Sequence, residues 1–475
     1  MRPRAAARPL RTARNPDGVV TTGTMTNAPS DRAFFGHPRA LGILAGAEAW
    51  VSFSFYGMQS LLVLYMTGRL LQPGHVERVL GFGPFRAALG AVYGPLGIEA
   101  LAAAVMGLYA ALIYATPILG GLVADRLLGR TRTVVLGAAL MTAGHFLMAF
   151  EACFLIALAC LVAGMGLAGS LKAQVGALYG PGDMRRADAF QLYSLSTSIA
   201  VILAPLVCGT LGESYDWHWG FAAAGVGMLL GLATYLAGRR LLPPETPRPR
   251  QGRGAAPARL TGREWQAMAA LGALLPVLAV ASVGNMEIFN AYLVWGRDSY
   301  ALVFGGRTMP VSWLLSLDAL VGVPTLLGSM LFWRAWARRW REPHELAKMA
   351  VGAVILALAP LILAAASARV AGGHRVGLGW GLAFHVVNDV GFSNLYPVGL
   401  ALYSRAAPRG LGATVVNAYA LHLFLSNLLV SWLAGLLATM PAQRFWLLHA
   451  GLIGAAALVL LLAVPLFRRI LAVPT

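Results

Sequence analysis

Long apolar stretches recur along the whole chain, and short polar segments separate them. Most of these stretches hold about twenty residues, enough for a helix to cross the ~30 Å hydrocarbon core of a bilayer. They begin near Leu41, Leu96, Thr133, Phe154, Ala189 and Gly220, and again near Met268, Val311, Ala347, Val376, Leu411 and Phe445. The pattern predicts an all-α integral membrane protein with about 12 transmembrane helices in two six-helix bundles.

A polar segment between the two sets divides the chain into domains. Residues 238–265 read GRRLLPPETPRPRQGRGAAPARLTGREW, and their prolines and arginines exclude both a membrane span and a packed core. No apolar segment precedes Leu41, so a cleaved signal peptide is not expected; a start site set too far upstream is the alternative reading of the first residues. The predicted domains are a disordered basic cytoplasmic tail at 1–40, an N-terminal bundle at 41–238, a cytoplasmic linker at 239–266 and a C-terminal bundle at 267–470.

Composition and charge agree with a membrane protein. Hydrophobic residues make up 58% of the chain and charged residues 12%, with a mean hydropathy of +0.67. The net charge of +18 would also fit a nucleic-acid partner, but 28 of the 37 Lys and Arg residues lie in the tail, the linker and the loops on one side, against eight on the other. This asymmetry instead predicts a multi-pass protein of the cell inner membrane with both termini in the cytoplasm and no nucleic-acid partner. The three cysteines lie within apolar stretches without metal-ligand spacing, so no metal site is expected.

One carboxylate interrupts the first apolar stretch. Glu48 opens the segment EAWVSFSFYGM. An unpaired charge at the bilayer centre costs at least ~2.5–3.5 kcal/mol, so this side chain must be neutral, hydrated or paired.

The tenth stretch contains a second group that can titrate. In FHVVNDVGFSN, His385 and Asp389 lie four residues apart on one helical face, with Asn388 beside them. Such a pair can hold and release a proton, because imidazole exchanges protons near neutral pH. The alternative is a permanently satisfied pair packed against another helix, and the residues leave both interpretations open.

Three more polar residues lie in the seventh and eighth stretches. Glu287 and Asn290 share a face in NMEIFNAYLVW, and Asp318 lies in SWLLSLDALVGVP. A glutamate that faces lipid is energetically unfavourable, so we expect Glu287 to face a cavity, with helix packing as the alternative. Asp318 is expected either to carry charge or to accept hydrogen bonds from helix 7.

The loop between the second and third stretches resembles a known signature. Residues 120–137 read GGLVADRLLGRTRTVVLG, which is similar to the segment between helices 2 and 3 of the major facilitator superfamily. The resemblance implies a major facilitator fold and a gating loop. In that loop Asp125 would cap or pair with a neighbouring helix, and Arg126 and Arg130 would tether the turn. The alternative is a generic cytoplasmic turn.

Other segments narrow the resemblance. Residues 36–66, GHPRALGILAGAEAWVSFSFYGMQSLLVLYM, resemble the first helix of the proton-coupled oligopeptide transporters, whose pattern is E-x-x-E-R-F-x-x-Y-G. Residues 170–231 are similar to that family's helices 4 to 6, and NLYPVGLALYSRAAP, residues 394–408, looks like the end of its helix 10. The match is close in the N-terminal half and patchy in the C-terminal half. It implies secondary transport by alternating access.

The chain departs from the family pattern at charged positions. Glu48 takes the place of the first glutamate of the motif, but Val51 and Ser52 replace the second glutamate and the arginine. Gln59 stands where an arginine usually helps to bind the peptide carboxylate. Phe392 replaces the glutamate that usually receives the peptide amino terminus.

The resemblance also assigns the remaining candidate residues. Lys172 matches the helix-4 lysine that faces helix 1, and an isolated Glu48–Lys172 bridge is therefore predicted, either for proton coupling or only to pin the two helices. The proton-coupling candidates are Glu48, His385 and Asp389. The substrate-binding candidates are Lys172, Tyr56, Gln59, Tyr114, Ser198, Glu287, Asn290 and Phe392.

The sequence thus predicts a transporter of small peptides or peptide-like solutes, monomeric in the lipid bilayer, driven by a proton gradient and without a cofactor. One alternative is a facilitator or exporter of a non-peptide solute on a refitted scaffold. Another is a non-transporting receptor. An enzyme is the weakest hypothesis, because the chain contains no H-E-x-x-H or G-x-S-x-G motif and no phosphate-cradling loop.

Overall fold

The computed structural model describes residues 33–180, 183, 185–242, 260–408 and 411–470. In that part of the chain the backbone is mostly helical, and its strands form one small antiparallel hairpin, β1 (Val303–Phe304) with β2 (Arg307–Thr308). The tail up to residue 32 and linker residues 243–259 lie outside the described residues, so the structures expected for them stay predictions.

The N-terminal half begins with α1, which packs against α7 and α9. The helix α3 packs against α5, and α4 packs against α5 and α9. The helices are α1 (Arg39–Tyr65), α2 (Phe82–Tyr93), α3 (Ile98–Val123), α4 (Arg130–Leu147), α5 (Phe154–Ala168), α6 (Leu171–Ala177), α7 (Arg185–Ala204), α8 (Thr210–Ser214) and α9 (Trp217–Gly238).

The C-terminal half is built around α14, which packs against α15 and α18. A capping box of Thr261 and Glu264 fixes the start of α10 directly after the linker. The helices are α10 (Gly262–Ala281), α11 (Val283–Met286), α12 (Ala291–Ser299), α13 (Trp313–Ala337), α14 (Glu345–Val370), α15 (Gly379–Ala406), α16 (Gly412–Tyr419), α17 (Leu421–Leu433) and α18 (Ala442–Ile470).

The helices group into the twelve spans that the apolar stretches predicted, and the predicted fold class is confirmed. Nine spans in the described residues are long and apolar enough to cross a membrane. The three others are built on α1, α4 and α15. Two of these contain the candidate residues Glu48 and His385, so the less apolar spans include those with candidate chemistry.

Four of the spans in the described residues are interrupted, and the interruptions of the fifth and seventh spans lie near the contacts between the halves. Pro205 follows α7 and lacks an amide hydrogen, and a π-helical turn (Pro205–Gly209) leads from there into α8. The seventh span passes from α10 through α11 and a 3₁₀ turn to α12, and Asn290 has non-helical backbone angles at the last junction. The carboxylate of Glu287 accepts the N–H of Ala291 across this junction, over 3.2 Å, and so satisfies a backbone group that the break leaves free.

The two halves meet at one end of the molecule, which we call the far end because it lies away from the linker. There α1 ends and α13 begins. A hydrophobic core runs through both halves at this end, from Leu61 and Met106 to Tyr300 and Trp446. A second core belongs mainly to the C-terminal half and lies around Met349.

Hydrogen bonds between the halves also lie at the far end in the described part of the chain. Each joins a residue before position 214 to one after position 289. The pairs are Asn290 with Ala103, Arg297 with Thr67, Glu213 with Val311 and Ser312, Trp313 with Thr210, and Ser316 with Ile202. The molecule is therefore closed at the far end.

Candidate functional site

Glu48 lies midway along α1 and is surrounded by hydroxyl groups. Tyr193 in α7 donates a hydrogen bond from its hydroxyl to Oε2 of Glu48 over 2.5 Å. Ser52, one turn along α1, and Thr197 in α7 donate to Oε1 over 3.4 and 3.5 Å. Three hydroxyls thus hold the carboxylate where the family motif supplies a guanidinium.

The predicted Glu48–Lys172 bridge is not formed among the described residues. Lys172 in α6 is exposed and acts on Glu48 only as a longer-range electrostatic attraction. The physical reason is desolvation: hydroxyls stabilise a carboxylate without removing a second charge from water, whereas a contact ion pair at this depth must dehydrate both partners. The side chain of Lys172 remains exposed.

Tyr56 and Tyr114 lie where the two halves face each other near Asp318 and Tyr396, a region that we call the gap. Tyr56 in α1 lies within electrostatic reach of Glu48 in its own half and of Asp318 and Tyr396 in the other half. Tyr114 in α3 interacts electrostatically with Tyr56 and Tyr396 and packs against the C-terminal core. The structure therefore brings these hydroxyls together from both halves, as expected for residues that line a central cavity.

Two other candidates have no partner across the gap in the described residues. Gln59 is buried, and its Oε1 atom has no hydrogen-bond partner there. Ser198 donates to the carbonyl of Ser194 in its own helix over 3.2 Å. The residues of α7 that reach the carboxylate are Tyr193 and Thr197, which sequence reasoning missed.

His385 forms a hydrogen-bonded chain, but its partner differs from the predicted one. Its Nδ1 lies 2.8 Å from Oδ1 of Asp318 in α13, and its Nε2 lies 3.0 Å from the hydroxyl of Tyr292 in α12. That hydroxyl lies 3.3 Å from the hydroxyl of Tyr300. The expected His385–Asp389 pair is therefore wrong. Asp318 faces the imidazole ring from the neighbouring helix α13 and takes the position at Nδ1 that Asp389, on the same helix as His385, was expected to occupy.

This chain can accommodate either protonation state of His385. If the imidazole is neutral, Nδ1–H donates to Asp318 and Nε2 accepts from Tyr292. If it is charged, Nε2–H donates to Tyr292, whose own hydroxyl then turns to donate to Tyr300. The side chain of Asp318 is 20% exposed while that of His385 is fully enclosed, so Asp318 connects the chain to the gap.

Asp389 lies one turn farther along α15. Its Oδ1 accepts from the amide of Asn388 over 3.2 Å, and its Oδ2 has no hydrogen-bond partner in the described residues. A Cβ built on Gly322 in α13 would lie 3.5 Å from that oxygen, so Oδ2 is close to α13. Asp389 also interacts electrostatically with Asp318, so these two acids share one region.

Glu287 is enclosed within the C-terminal half. Its Oε1 lies 3.1 Å from Nε2 of His449 in α18, and both side chains have no exposed surface. The Nδ1 of His449 lies 2.9 Å from the carbonyl of Phe445 and must donate to it. The pair is therefore either carboxylate with imidazolium or carboxylic acid with imidazole. This placement corresponds to the packing alternative, since Glu287 does not reach the gap in this conformation.

Asn290 and Phe392 have contacts that do not require a ligand. The amide of Asn290 donates to the carbonyl of Ala103 in the other half over 3.2 Å. Phe392 stacks on Tyr396 with ring centroids 5.4 Å apart and planes 9° apart. Asn290 thus belongs to the far-end closure, and an aromatic surface stands where the family has an acid.

The predicted gating loop forms a π-helical turn (Ala124–Leu128) that ends at Gly129 with φ 77°, a conformation that favours glycine. Arg126 is exposed and Arg130 is half-buried. The side chain of Asp125 lies outside the described residues. The gating roles of these three residues stay predictions.

Asp318 is expected to set the proton response of the His385 chain. Replacing it (Asp318→Asn) removes the charged acceptor, and a charge-assisted hydrogen bond is worth about 1.5–3 kcal/mol, or roughly a 10- to 100-fold change in an equilibrium. For the proton-driven transport that the sequence predicts, we expect gradient-driven uptake to fall by about 10- to 100-fold and its pH profile to shift. Glu77→Gln, at an exposed acid that accepts the N–H of Gly74, is the control. An unshifted profile in Asp318→Asn would remove this chain from proton coupling.

The Major Facilitator Superfamily model matches residues 80–431, and the chain therefore belongs to that superfamily of membrane transporters. A Bacillus subtilis (strain 168) protein described as uncharacterized transporter YclF is 27% identical over 92% of this chain and 96% of its own length. The peptide transporter YePEPT of Yersinia enterocolitica is 36% identical, but the match covers 45% of this chain and 39% of that protein.

A solved structure of a peptide transporter of the POT family, in complex with sulfate, has the same fold. It superposes with a TM-score of 0.80 and is 25% identical, covering 93% of this chain and 98% of its own. Within the superfamily the chain is thus similar to peptide transporters, and of the three charges in the oligopeptide-transporter pattern of the first helix it keeps only Glu48. The predictions of a multi-pass membrane transporter and of a protein that is not an enzyme are confirmed.

Proposed function

We propose that the protein is a secondary active transporter that moves small peptides or peptide-like solutes by alternating access and couples their movement to protons. The observation that carries the proposal is Glu48, an acid held by three hydroxyls beside a gap that is closed at the far end. A carboxylate in that setting can take up a proton from one side of the membrane at a time. The driving force is the proton gradient, and no cofactor takes part.

The orientation follows from charge. Basic residues concentrate at the linker end, which therefore faces the cytoplasm of the cell, and the far end faces outward across the inner membrane. The conformation described above, closed at the far end, is then inward-facing. We propose that a single chain is the transporting unit, since both walls of the gap come from one polypeptide.

Lys172 is the residue that binds a substrate carboxylate in this proposal. It is exposed and makes no contact ion pair with Glu48 in the described residues, so it can pair with an incoming anion. Gln59 is the second candidate for substrate binding in the N-terminal half. Its buried Oε1 atom has no hydrogen-bond partner in the described residues and can accept one from a substrate N–H group. Tyr56 and Tyr114 supply hydroxyls between the two walls.

One observation favours a second candidate, a facilitator or exporter of a non-peptide solute. Phe392 stacks on Tyr396 where the family carries the acid that receives the amino terminus. An aromatic face suits an apolar group better than an ammonium group.

Uptake into proteoliposomes separates the two candidates. The purified chain is supplied with a mixed library of dipeptides and tripeptides, with and without an inward proton gradient. Accumulation above equilibrium only with the gradient is the expected result. No uptake of any peptide, by protein shown to be folded, would overturn the peptide proposal and favour the second candidate.

Lys172 is expected to determine which substrates bind. In Lys172→Ala, the KM for substrates with a free carboxylate should rise by about 10- to 100-fold, the value of one charge-assisted hydrogen bond, while amidated analogues keep their KM. Arg263→Ala, at an arginine outside the gap on α10, is the control. A KM that rises equally for amidated analogues would contradict the assignment.

A further inference from the structure

Glu213 makes a strong contact between the two halves. It lies in α8, near the far end of the fifth span, in the N-terminal half. Its Oε2 accepts the backbone N–H of Val311 over 2.7 Å, and its Oε1 accepts that of Ser312 over 2.9 Å. Both donors belong to the C-terminal half and lie just before α13, so one carboxylate binds two backbone groups of the opposite half.

The start of α13 is a favourable place for this carboxylate. The first N–H groups of a helix have no partner within the helix, and the helix dipole adds positive potential there. Glu213 thus acts as a cap supplied by the other half of the molecule. Arg297, near the end of α12, adds a longer-range attraction to the same carboxylate.

The chain around Glu213 brings the two halves unusually close. A Cβ on Gly209, one turn before Glu213, would overlap the hydroxyl of Ser312. The indole of Trp313 donates to the hydroxyl of Thr210 over 3.0 Å. These contacts seat the carboxylate against α13 and limit the access of water to it.

Glu213 differs in kind from the other far-end contacts of the described residues. The bonds of Asn290 to Ala103 (3.2 Å) and of Ser316 to Ile202 (2.7 Å) each use one neutral donor, and the charged Arg297 reaches Thr67 through one bond of 3.4 Å. Glu213 combines an ionisable acceptor with two donors, and bonds to a charged group are the stronger ones. Every bond between the halves must break when the far end opens, so the strongest one contributes most to keeping it closed.

We infer that Glu213 is the latch of the far end: its bidentate contact with the start of α13 holds that end closed, and breaking the contact is part of opening to the far side. Glu213 is a positioning residue that touches neither the substrate nor the proton-coupling groups described above. The inference rests on alternating access and is independent of which solute is moved or whether protons accompany it.

The test measures conformation directly. Spin labels are attached at Val92→Cys in α2 and Val303→Cys in β1, two exposed far-end positions in different halves, after Cys153, Cys160 and Cys208 have been replaced by alanine. Double electron–electron resonance then gives the distribution of distances between them. In Glu213→Gln an amide replaces the carboxylate and can accept only one of the two N–H groups, so we expect a new, longer distance, with the open population raised on the order of 10- to 100-fold.

Two further variants make the test specific. Glu77→Gln changes an exposed far-end acid that bonds only to the nearby N–H of Gly74, and it should leave the distances unchanged. Trp313→Phe removes one neighbouring cross-half bond but keeps the carboxylate, and its effect should be much smaller than that of Glu213→Gln. An unchanged distribution in folded Glu213→Gln, or an equal shift in Trp313→Phe, would overturn the inference. Either result would leave the peptide and proton proposals standing.

Discussion

Glu48→Gln is expected to abolish accumulation driven by the proton gradient while leaving exchange of substrate across the membrane intact. The amide is nearly isosteric and can still accept from Tyr193, so the helices should stay in place. It cannot bind and release a proton, and a gradient then has no group at this site through which to act. The measurement compares gradient-driven uptake with counterflow in the same proteoliposomes.

Two controls sharpen this prediction. Tyr193→Phe keeps the acid but removes its shortest hydrogen bond, so we expect transport to stay proton-coupled with a shifted pH profile. Glu77→Gln, at an exposed acid, should have no effect. A normal gradient-driven rate in Glu48→Gln would exclude Glu48 and leave the Asp318–His385 chain as the coupling site.

Glu287→Ala is expected to lower the free energy of unfolding by about 3–5 kcal/mol, because it leaves His449 buried without its partner. It also removes the acceptor for the N–H of Ala291 at the break in the seventh span. Chemical unfolding in detergent, followed by the loss of helical circular dichroism, measures the change.

The double variant Glu287→Ala/His449→Phe tests whether the pair acts as a unit. It should be less destabilised than the sum of the single changes, since neither side chain of the pair is then buried without the other. Glu345→Ala, which breaks a more exposed ion pair with Arg405, should lower the stability by less than about 1 kcal/mol. Equal losses in Glu287→Ala and Glu345→Ala would contradict a structural role for the buried pair.

The fold was predictable from sequence because each span needs only a run of apolar residues and a polar turn. The breaks in the seventh span were not predictable from that signal. Asn290 lies in an apolar segment, and its backbone leaves the helix because a bond to Ala103, 187 positions away in the sequence, and the carboxylate of Glu287 stabilise the junction. Such long-range contacts leave no local pattern.

The sequence predicted which residues belong to the site better than it predicted which of them form hydrogen bonds with each other. Glu48 and His385 stood out because charge is rare in apolar stretches. Their partners, Tyr193 and Asp318, come from other helices, and helical spacing reports only neighbours on the same helix. His449 was missed altogether, although a histidine within the last apolar stretch was a signal that could have pointed to it.

The hydrophobic core that passes through both halves at the far end has an energetic consequence. Each outward opening parts packed side chains such as Leu61 and Tyr300 from their neighbours and wets apolar surface, at about 25 cal/mol for each Å². This contribution stabilises the conformation that is closed at the far end. Substitutions that shrink the shared core, such as Leu61→Ala, should therefore favour outward opening even though they touch no charged group.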